Sequence, residues 1–374
     1  MTFTVSSKAI NEALNMVLKV ITPKNAMPIL DDFIFALEDG TLSIMASDAE
    51  NIMKSTVSVT DGQGEGRFAI NAKNMMEAMK NMNDMELTFD YDKGDKVKVT
   101  YLNGMFTLPT DNADEFPQPY DITPTLTIDI SETLLQENIA RSIFAAAQDE
   151  LRPIMNGIFF DLTEEALNIV ATNGHQLVKN KVFSIKATED NKGSLILPKK
   201  PANILKNLLR KVDTIVTMEA DNRWMKLTTE KFTLRCRLIE GRYPNYNSVI
   251  PKNNDKTLTV DRNNLIAVLK RLTPFACSGS ELMKIHVQQD NIRIETEDFD
   301  FSKTATETMA ADYDGKDMKI GFKSSALLGV LDNIKSTNVQ ILLYDPSRAG
   351  LIQPSEQPEQ QEILMLLMPM LLND

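Results

Sequence analysis

Few residues in this chain are of the types that carry out catalysis or bind metals, because its 374 residues include only two histidines and two cysteines. His175 follows an Asn-Gly pair, as a turn residue does, and no nucleophile motif accompanies it. A hydrolase that uses His175 with acidic neighbours therefore stays an alternative interpretation. Cys277 has no evident base beside it. We expect no catalytic residue, and the chain is predicted not to be an enzyme.

Two other segments have the composition of ligand-binding motifs but not their spacing. Gly62, Gly64 and Gly66 lack the Gly-Lys-Ser/Thr ending of a phosphate-binding loop and are typical of a hairpin turn. The acidic segment 295–301 alternates in the manner of an exposed strand rather than of a metal-binding loop. The sequence therefore predicts neither a metal site nor a cofactor.

Charge and cysteine usage limit the compartment and the partners. Taken alone, the net charge of −12 argues against a nucleic-acid partner. This charge is an average over the surface, however, and a ring or cleft can hold a basic face inside an acidic body. Two widely separated cysteines favour a reducing compartment. The first residues, MTFTVSSK, lack the features of a signal peptide, and no apolar stretch approaches the ~18 residues of a membrane helix. We expect a cytoplasmic protein with no membrane partner.

The elements that would position any site recur three times along the chain. The segments FTVSSKAINEAL (3–14), IDISETLLQENI (128–139) and LTVDRNNLIAVL (258–269) each read as a short strand followed by a helix. A capping residue, Ser6, Ser131 or Asp261, separates the two elements. A second strand-helix pattern recurs at 68–82, 195–210 and 320–334. The chain is therefore predicted to contain three copies of one domain.

Hairpins complete the predicted domain. The segments 42–59 and 167–185 read as paired strands, and Gly-containing dipeptides mark further turns at Asp61-Gly62, Lys93-Gly94, Asn103-Gly104 and Asn173-Gly174. This pattern predicts an α+β fold of three similar tandem domains, each with two helices and antiparallel sheets. The predicted boundaries are 1–120, 121–252 and 253–374, with linkers at 117–125 and 251–257.

The six predicted helices are richer in lysine and arginine than the rest of this acidic chain. They span 6–20, 71–82, 131–147, 198–212, 261–272 and 323–335. Ordinary solvated helix faces explain this distribution, and so does one common surface that faces a polyanion. A multidomain scaffold that never meets DNA also stays open at this point.

Four short motifs lie in the same order within the repeats: RPIMNG (152–157), TNGHQL (172–177), GRYPNY (241–246) and LMPM (367–370). Together with the triplication they resemble the bacterial DNA polymerase III beta subunit family, the sliding clamps, from Phe3 to Met370. The resemblance implies that each chain forms a half-ring and that two chains pair head to tail around double-stranded DNA, independently of its sequence. It also implies short peptide motifs as ligands, from the DNA polymerase III alpha subunit, the clamp loader, other polymerases and repair proteins.

The resemblance further implies a pocket that binds these partner peptides. Its residues in this chain would be Arg152, Met155, Thr172, Gly174, His175, Leu177, Pro244, Val249, Leu366, Leu367, Met368, Pro369 and Met370. Gln176, Ser248, Ala326 and the ending LLND depart from the family pattern. We therefore expect a pocket that is more apolar and less cationic than is usual in the family.

Two further sets of residues follow from the resemblance. The DNA-facing set is Lys24, Lys73, Gln148, Lys199, Lys200 and Lys206. The dimer interface would join the first domain of one copy to the third of another, and its residues would be Phe106, Cys277, Glu297 and Asp298. Lys73 or Lys80 would pair there with Glu297 or Asp298.

Overall fold

A computed structural model of the chain describes residues 1–118 and 120–372, so that Pro119 of the predicted first linker and the final Asn373 and Asp374 lie outside the described residues. Each predicted helix is present. The helices are α1 (Ser7–Val17), α2 (Ala72–Met79), α3 (Glu132–Ser142), α4 (Lys199–Leu208), α5 (Arg262–Leu272) and α6 (Ser324–Asp332). They are shorter than predicted, because several of them, such as α3, end in 3₁₀ or irregular turns.

The chain divides into two compact units, the first made of Met1–Thr133 and Asn207–Leu238. It contains a five-stranded antiparallel sheet in the order β5-β1-β7-β8-β9. These strands are β1 (Thr2–Ser6), β5 (Thr60–Gln63), β7 (Glu86–Tyr91), β8 (Lys96–Tyr101) and β9 (Gly104–Pro109).

The second sheet of this unit has eight antiparallel strands in the order β10-β15-β16-β17-β4-β3-β2-β6. These strands are β2 (Asp32–Glu38), β3 (Thr41–Ser47), β4 (Asn51–Ser58), β6 (Gly66–Asn71), β10 (Leu126–Ser131), β15 (Ile215–Ala220), β16 (Trp224–Thr228) and β17 (Phe232–Arg237). Phenylalanine rings fill the core between the two sheets and stack as Phe3 on Phe89 and Phe35 on Phe68.

The second unit consists of Leu134–Lys206 and the residues from Ile239 onward. Its larger sheet has nine antiparallel strands in the order β14-β11-β12-β13-β26-β25-β24-β18-β22. These are β11 (Gly157–Leu162), β12 (Leu167–Thr172), β13 (Gln176–Val182), β14 (Gly193–Pro198), β18 (Lys256–Asp261), β22 (Asp312–Tyr313), β24 (Asn338–Leu343), β25 (Gly350–Pro354) and β26 (Gln361–Leu367).

A four-stranded sheet in the order β21-β20-β19-β23 completes the second unit. Its strands are β19 (Leu282–Val287), β20 (Asn291–Asp298), β21 (Lys303–Ala310) and β23 (Met318–Lys323). Apolar residues of α5 and α6, such as Leu269 and Leu331, pack with both sheets in one core. The acidic segment 295–301 is strand as far as Asp298, as its alternation predicts.

The three repeated strand-helix segments at 3–14, 128–139 and 258–269 fold alike, because their alternating apolar residues place one face of each strand in the core. Phe3, Ile128 and Leu258 are buried. The Ser6 hydroxyl accepts from the Ala9 N–H at 3.4 Å, and the Asp261 carboxylate accepts from the Asn264 N–H at 2.7 Å. Each cap satisfies a backbone donor that the first helical turn leaves unpaired, so the helix begins where the sequence predicts.

Strand pairing shows which residues correspond in the three repeats. One ladder connects Phe3, Phe89, Val99 and Phe106 in the first repeat, Ile128, Met218, Leu227 and Leu234 in the second, and Leu258, Ile341, Ile352 and Met365 in the third. A second ladder connects Phe68, Phe35, Ile44 and Ser55, then Leu195, Phe160, Ile169 and Asn180, then Ile320, Ile285, Ile294 and Glu307. Residues at the same step of a ladder therefore correspond.

Neighbouring repeats share sheets at two junctions. Leu234 of β17 in the second repeat pairs with Met53 of β4 in the first. Met365 of β26 in the third repeat pairs with Val178 of β13 in the second. Because Leu234 corresponds to Met365 and Met53 to Val178, the two junctions are built in the same register.

One predicted turn is wrong. Asp61-Gly62 lies inside β5, which pairs with β1 through an irregular register, and the chain turns at Gly64 instead. The irregularity accommodates Asp61 in the left-handed region, with φ 54°, within a strand. The turns at Lys93, Asn103 and Asn173 fall between paired strands as predicted. The predicted second linker, 251–257, overlaps β18, which begins at Lys256.

Candidate functional site

The residues predicted to bind partner peptides all lie in the second unit. Leu177 of β13 pairs with Leu366 of β26, and both belong to an apolar cluster with Tyr243 and Tyr246. Half-buried Pro244 lies between these tyrosines in sequence. The strand pair and the segment 243–249 therefore pack against each other, and we call the surface along their contact the groove.

The turn between β12 and β13 is fixed by side-chain hydrogen bonds. The Thr172 hydroxyl donates to the Gln176 carbonyl at 2.7 Å and accepts from the Gly174 N–H at 3.1 Å. The Met368 N–H donates to the His175 carbonyl at 2.9 Å. His175 thus holds the end of β26 through its backbone, while its side chain is exposed.

Gly174 allows Arg152 to lie over this turn. Gly174 has a φ of 91°, and a Cβ atom there would stand 3.1 Å from the Arg152 guanidinium. Arg152 Nε donates to Asp149 Oδ2 at 2.8 Å, and this bond lowers the pKa of the Asp149 carboxyl. The Met155 N–H donates to the Arg152 carbonyl at 3.0 Å, which places half-buried Met155 beside the arginine.

The last strand presents two faces, and its continuation provides the exposed apolar surface. Leu367 packs in the helix-side core, whereas Leu366 packs in the groove cluster. The Met370 N–H donates to the Gly321 carbonyl at 2.8 Å, which anchors the segment with half-buried Pro369. Met368 is 42% exposed and Val249 on the opposite wall is 58% exposed. These two side chains are available to an apolar ligand.

Sequence reasoning missed the aromatic floor of the groove. Phe159 stacks on Tyr243 with ring centroids 4.5 Å apart, and it meets Tyr246 edge to face at 6.1 Å. The Tyr246 hydroxyl donates to Asp161 Oδ2 at 2.8 Å, and burial raises the pKa of both tyrosines. The motif GRYPNY contained the signal, because tyrosines that flank a proline in a polar loop need apolar neighbours.

The departures from the family pattern differ in their exposure. The Gln176 side chain is buried and donates to the Phe144 carbonyl at 3.3 Å, so it contributes no polar group to the groove. The Ser248 hydroxyl donates to the Asn245 carbonyl at 2.7 Å on the exposed wall. Ala326 packs against the core of the second unit. Leu371 and Leu372 of the ending LLND are described, whereas its last two residues are not.

In the first unit, the predicted DNA-facing residues Lys24 and Lys73 are exposed. Lys24 lies in the loop after α1, which the Asn25 side chain holds by donating to the carbonyls of Thr22 and Leu30 at 3.1 and 3.2 Å. Lys73 lines a cleft between α1 and α2 with a volume of about 760 Å³. Lys24 therefore lies on a hydrogen-bonded loop next to α1, whereas Lys73 lies in the first turn of α2.

In the second unit, the predicted DNA-facing residues are exposed Gln148 and half-buried Lys199, Lys200 and Lys206. The three lysines lie on α4, which has no acidic residue. Burial lowers the pKa of Lys199. By the observed bounds, α1 and α2 each balance one lysine with one glutamate, so the cationic excess of the helices is concentrated on α4 and α5.

The predicted interface residues lie on free sheet edges and beside them. Half-buried Phe106 is in β9, an edge strand, and half-buried Cys277 follows α5. Glu297 is paired with Lys284 within the chain. Asp298 is buried and accepts from the Phe301 N–H at 3.3 Å. Pairing of these two carboxylates with Lys73 or Lys80 of another copy stays a prediction.

Comparison with known proteins accounts for nearly the whole chain. Residues 1–121, 129–245 and 247–370 match the N-terminal, central and C-terminal domains of the DNA polymerase III beta subunit. The chain belongs to the DNA polymerase III beta subunit family. The observed α+β fold of three tandem clamp domains agrees with this membership.

Individual members of the beta subunit family match over their full length. The beta sliding clamp of Pseudomonas putida is 25% identical over 366 residues, 98% of this chain and 99% of that protein. The Escherichia coli K12 beta sliding clamp is 25% identical over 370 residues, 99% of this chain and 100% of that protein. The crystal structure of the DNA polymerase III subunit beta from Pseudomonas aeruginosa superposes with a TM-score of 0.92 at 26% identity, covering 99% of this chain and 100% of that one.

The surroundings of His175 in this beta subunit family member bear on the alternative interpretation of the chain as a hydrolase. Within residues 1–118 and 120–372, no acidic or hydroxyl side chain hydrogen-bonds to the His175 ring. Among the same residues, no group of three His, Cys, Asp or Glu side chains is placed to hold a metal ion. No helix in the described part of the chain is long and apolar enough to cross a membrane.

Proposed function

We propose that two copies of this chain close into a ring around double-stranded DNA and tether the replicative polymerase and other DNA-processing proteins. The observation that carries the proposal is the match of all three repeats, from residue 1 to residue 370, to a family whose members are named sliding clamps. The chain then acts as a processivity factor and not as an enzyme. The cytoplasmic location predicted from the sequence is part of the same proposal.

The register of the internal junctions supports closure by a second copy. Phe106 of β9 corresponds to Leu234 and Met365, and Ala305 of β21 corresponds to Met53 and Val178. Both β9 and β21 are edge strands of their sheets. A third junction in the same register would pair Phe106 of one copy with Ala305 of the other.

The burial of Phe106 supports this pairing. Leu234 and Met365 have no exposed surface, because each has a partner strand across its junction. Phe106 at the corresponding position is only half-buried. A second copy that adds β21 to β9 would remove this apolar ring from water and pair a free strand edge, and both changes favour association.

Cations on the helices support a sequence-independent interaction with DNA. Lys199, Lys200 and Lys206 on α4 provide positive charge without a base-reading element. Contacts of lysine with phosphate are screened by salt and indifferent to sequence, which suits a protein that must slide. Topological enclosure then keeps the protein on DNA although each contact is weak and the net charge is −12.

The groove between β13, β26 and the segment 243–249 is the proposed site for partner peptides. Its exposed apolar side chains are Val249 and Met368, and its floor is aromatic. Methionine adapts its shape to varied apolar ligands, which suits a site that serves several partners. The DNA polymerase III alpha subunit, the clamp loader, other polymerases and repair proteins would each insert a short motif here.

Retention on DNA of defined topology tests the proposal. The protein is loaded by a clamp loader onto a nicked circle, the circle is then linearised, and the bound fraction is measured after gel filtration. We expect retention on the circle, loss from the linear form, and retention on a linear form whose ends are blocked by bound protein. Equal retention on linear DNA with free ends would contradict enclosure.

A further inference from the structure

The turn between β20 and β21 differs from the corresponding turns of the other repeats. Ser47 pairs with Ile52 and Thr172 pairs with Leu177 at the last step of their hairpins. The corresponding pair in the third repeat is Glu297 with Thr304, and one more pair, Asp298 with Lys303, follows it. The third hairpin is therefore one residue pair longer, and its turn extends further from the sheet.

This longer turn carries two exposed phenylalanines. Phe299 is 81% exposed and Phe301 is 70% exposed. The Ser302 N–H donates to the Phe299 carbonyl at 3.3 Å, and the Lys303 ammonium stands 5.2 Å from the centre of the Phe301 ring. The backbone of the turn is thus ordered while both rings face solvent. Two adjacent exposed rings on an ordered turn are typical of a protein–protein contact.

The corresponding turns of the first two repeats each receive a hydrogen bond at their junction. The Arg237 N–H donates to the Glu50 carbonyl at 2.8 Å, and the Met368 N–H donates to the His175 carbonyl at 2.9 Å. Pro109 of β9 corresponds to Arg237 and Met368. In the register of the proposed third junction, Pro109 would stand opposite Ser302 of the other copy. Proline has no N–H, so this hydrogen bond cannot form between two copies.

We propose that Phe299 and Phe301 of one copy pack on the Leu108–Pro109 end of β9 in a second copy of this chain. The packing of these rings would stabilise this end of the junction, as a backbone hydrogen bond does at the other two junctions. Leu108 is half-buried and Pro109 is exposed, so both offer apolar surface to the rings. This inference rests on the proposed dimer and identifies the aromatic turn as the contact that stabilises it.

The double variant Phe299→Ser/Phe301→Ser tests the inference. We expect its dimer dissociation constant, measured by sedimentation velocity over a dilution series, to rise roughly 100-fold, because burial of two phenylalanines is lost. The variant should unfold at the wild-type temperature when diluted to monomer, because both rings are exposed in one copy. The matched control is Ile215→Ser, which replaces an apolar side chain that is 61% exposed outside the turn.

A cross-link provides a second measurement that does not depend on the stability of the serine variant. Pro109→Cys and Ser302→Cys, in a chain with Cys277→Ser, should give a disulfide-linked dimer on mild oxidation. If the wild-type chain dimerises and the double serine variant dimerises with the same affinity, the role of the rings is overturned and the proposed dimer stands. A wild-type chain that stays monomeric at micromolar concentration would overturn the proposed dimer itself, and the contact with it.

Discussion

Asp32 is a buried carboxyl group in the first unit, at the start of β2. Burial, followed by the negative charge of Asp111, raises the pKa of its carboxyl from 3.8 to about 7. The Asn71 amide donates to Asp32 Oδ1 at 3.4 Å and opposes this rise only in part. The folded protein therefore holds a proton on Asp32 at pH values where the unfolded chain has released it.

We predict that Asp32→Asn changes how stability depends on pH. A raised folded-state pKa adds stability that is fully present below pH 4 and is lost as pH rises through about 7. The asparagine cannot ionise, so the variant should gain up to about 3 kcal/mol relative to wild type between pH 5 and pH 8. Urea unfolding at both pH values measures the difference. Parallel changes in the two proteins would contradict a buried, protonated Asp32.

Met368 provides exposed apolar surface to the proposed peptide groove. We predict that Met368→Ser lowers the affinity for a partner peptide about 10-fold, because one partly exposed apolar side chain no longer contacts the ligand. Fluorescence anisotropy with a labelled peptide from the polymerase alpha subunit measures the affinity. Met27→Ser is the matched control, since Met27 is 43% exposed, close to the 42% of Met368, and lies in the first unit. Equal losses in both variants would contradict a specific role of Met368.

The predicted residues of the groove came from the resemblance to the beta subunit family, which did not indicate the direction of every side chain. Thr172, Gly174 and Leu177 are placed by a turn motif, and their grouping with Leu366 follows from pairing of β13 with β26. Gln176 is in the same motif, yet its side chain turns toward Phe144. Strand registers decide such directions, and a register between strands almost two hundred residues apart is not encoded in local sequence.

At the scale of elements, α4 is the helix with the largest cationic excess for its length, since Lys199, Lys200 and Lys206 face no acidic residue within it. We predict that reversing these three lysines to glutamate shortens retention on nicked circular DNA and lowers its dependence on salt. The matched control replaces three exposed lysines outside the helices, Lys186, Lys192 and Lys252, with glutamate. This variant has the same change in net charge. Equal loss in both triple variants would mean that total charge, rather than α4, governs retention.

The elements themselves were predictable because their signals are local. The caps at Ser6 and Asp261 and the apolar spacing after them define α1 and α5 without tertiary information. The Asp61-Gly62 dipeptide was misread because its turn geometry is used inside a strand, where pairing with β1 is irregular. Only the partner strand distinguishes these two uses of the same dipeptide.

At the scale of the whole molecule, the junction between copies makes the most specific prediction. In the proposed register, exposed Met105 stands opposite exposed Thr306. We predict that Met105→Cys with Thr306→Cys, in a chain with Cys277→Ser, gives a covalent dimer on oxidation, visible by non-reducing electrophoresis. Met105→Cys with Ala310→Cys is the control, because Ala310 lies on the same strand face four residues away. Equal cross-linking of both pairs would contradict the register.

The number of repeats was predictable from the sequence, whereas the sharing of sheets between them was not. Self-similarity at 3–14, 128–139 and 258–269 identifies three copies. The pairing of Leu234 with Met53 joins residues from different copies, and no local pattern in β17 indicates that its neighbour lies in another repeat. The domain limits of 1–120, 121–252 and 253–374 stay predictions, because two sheets contain strands from both sides of a limit.

Shared sheets have a consequence for how such a chain can be divided. The central repeat pairs β17 with β4 of the first repeat and β13 with β26 of the third. Separating the repeats after a protease cut at either linker would therefore leave the backbone groups of two paired strands without partners. A single repeat expressed alone would expose two complementary strand edges, and its copies would associate head to tail into oligomers of undefined size. Fusion of three repeats leaves β9 and β21 as edge strands in the register of the two internal junctions. In the proposed dimer, the junction that can open without breaking the chain is therefore the one between separate molecules.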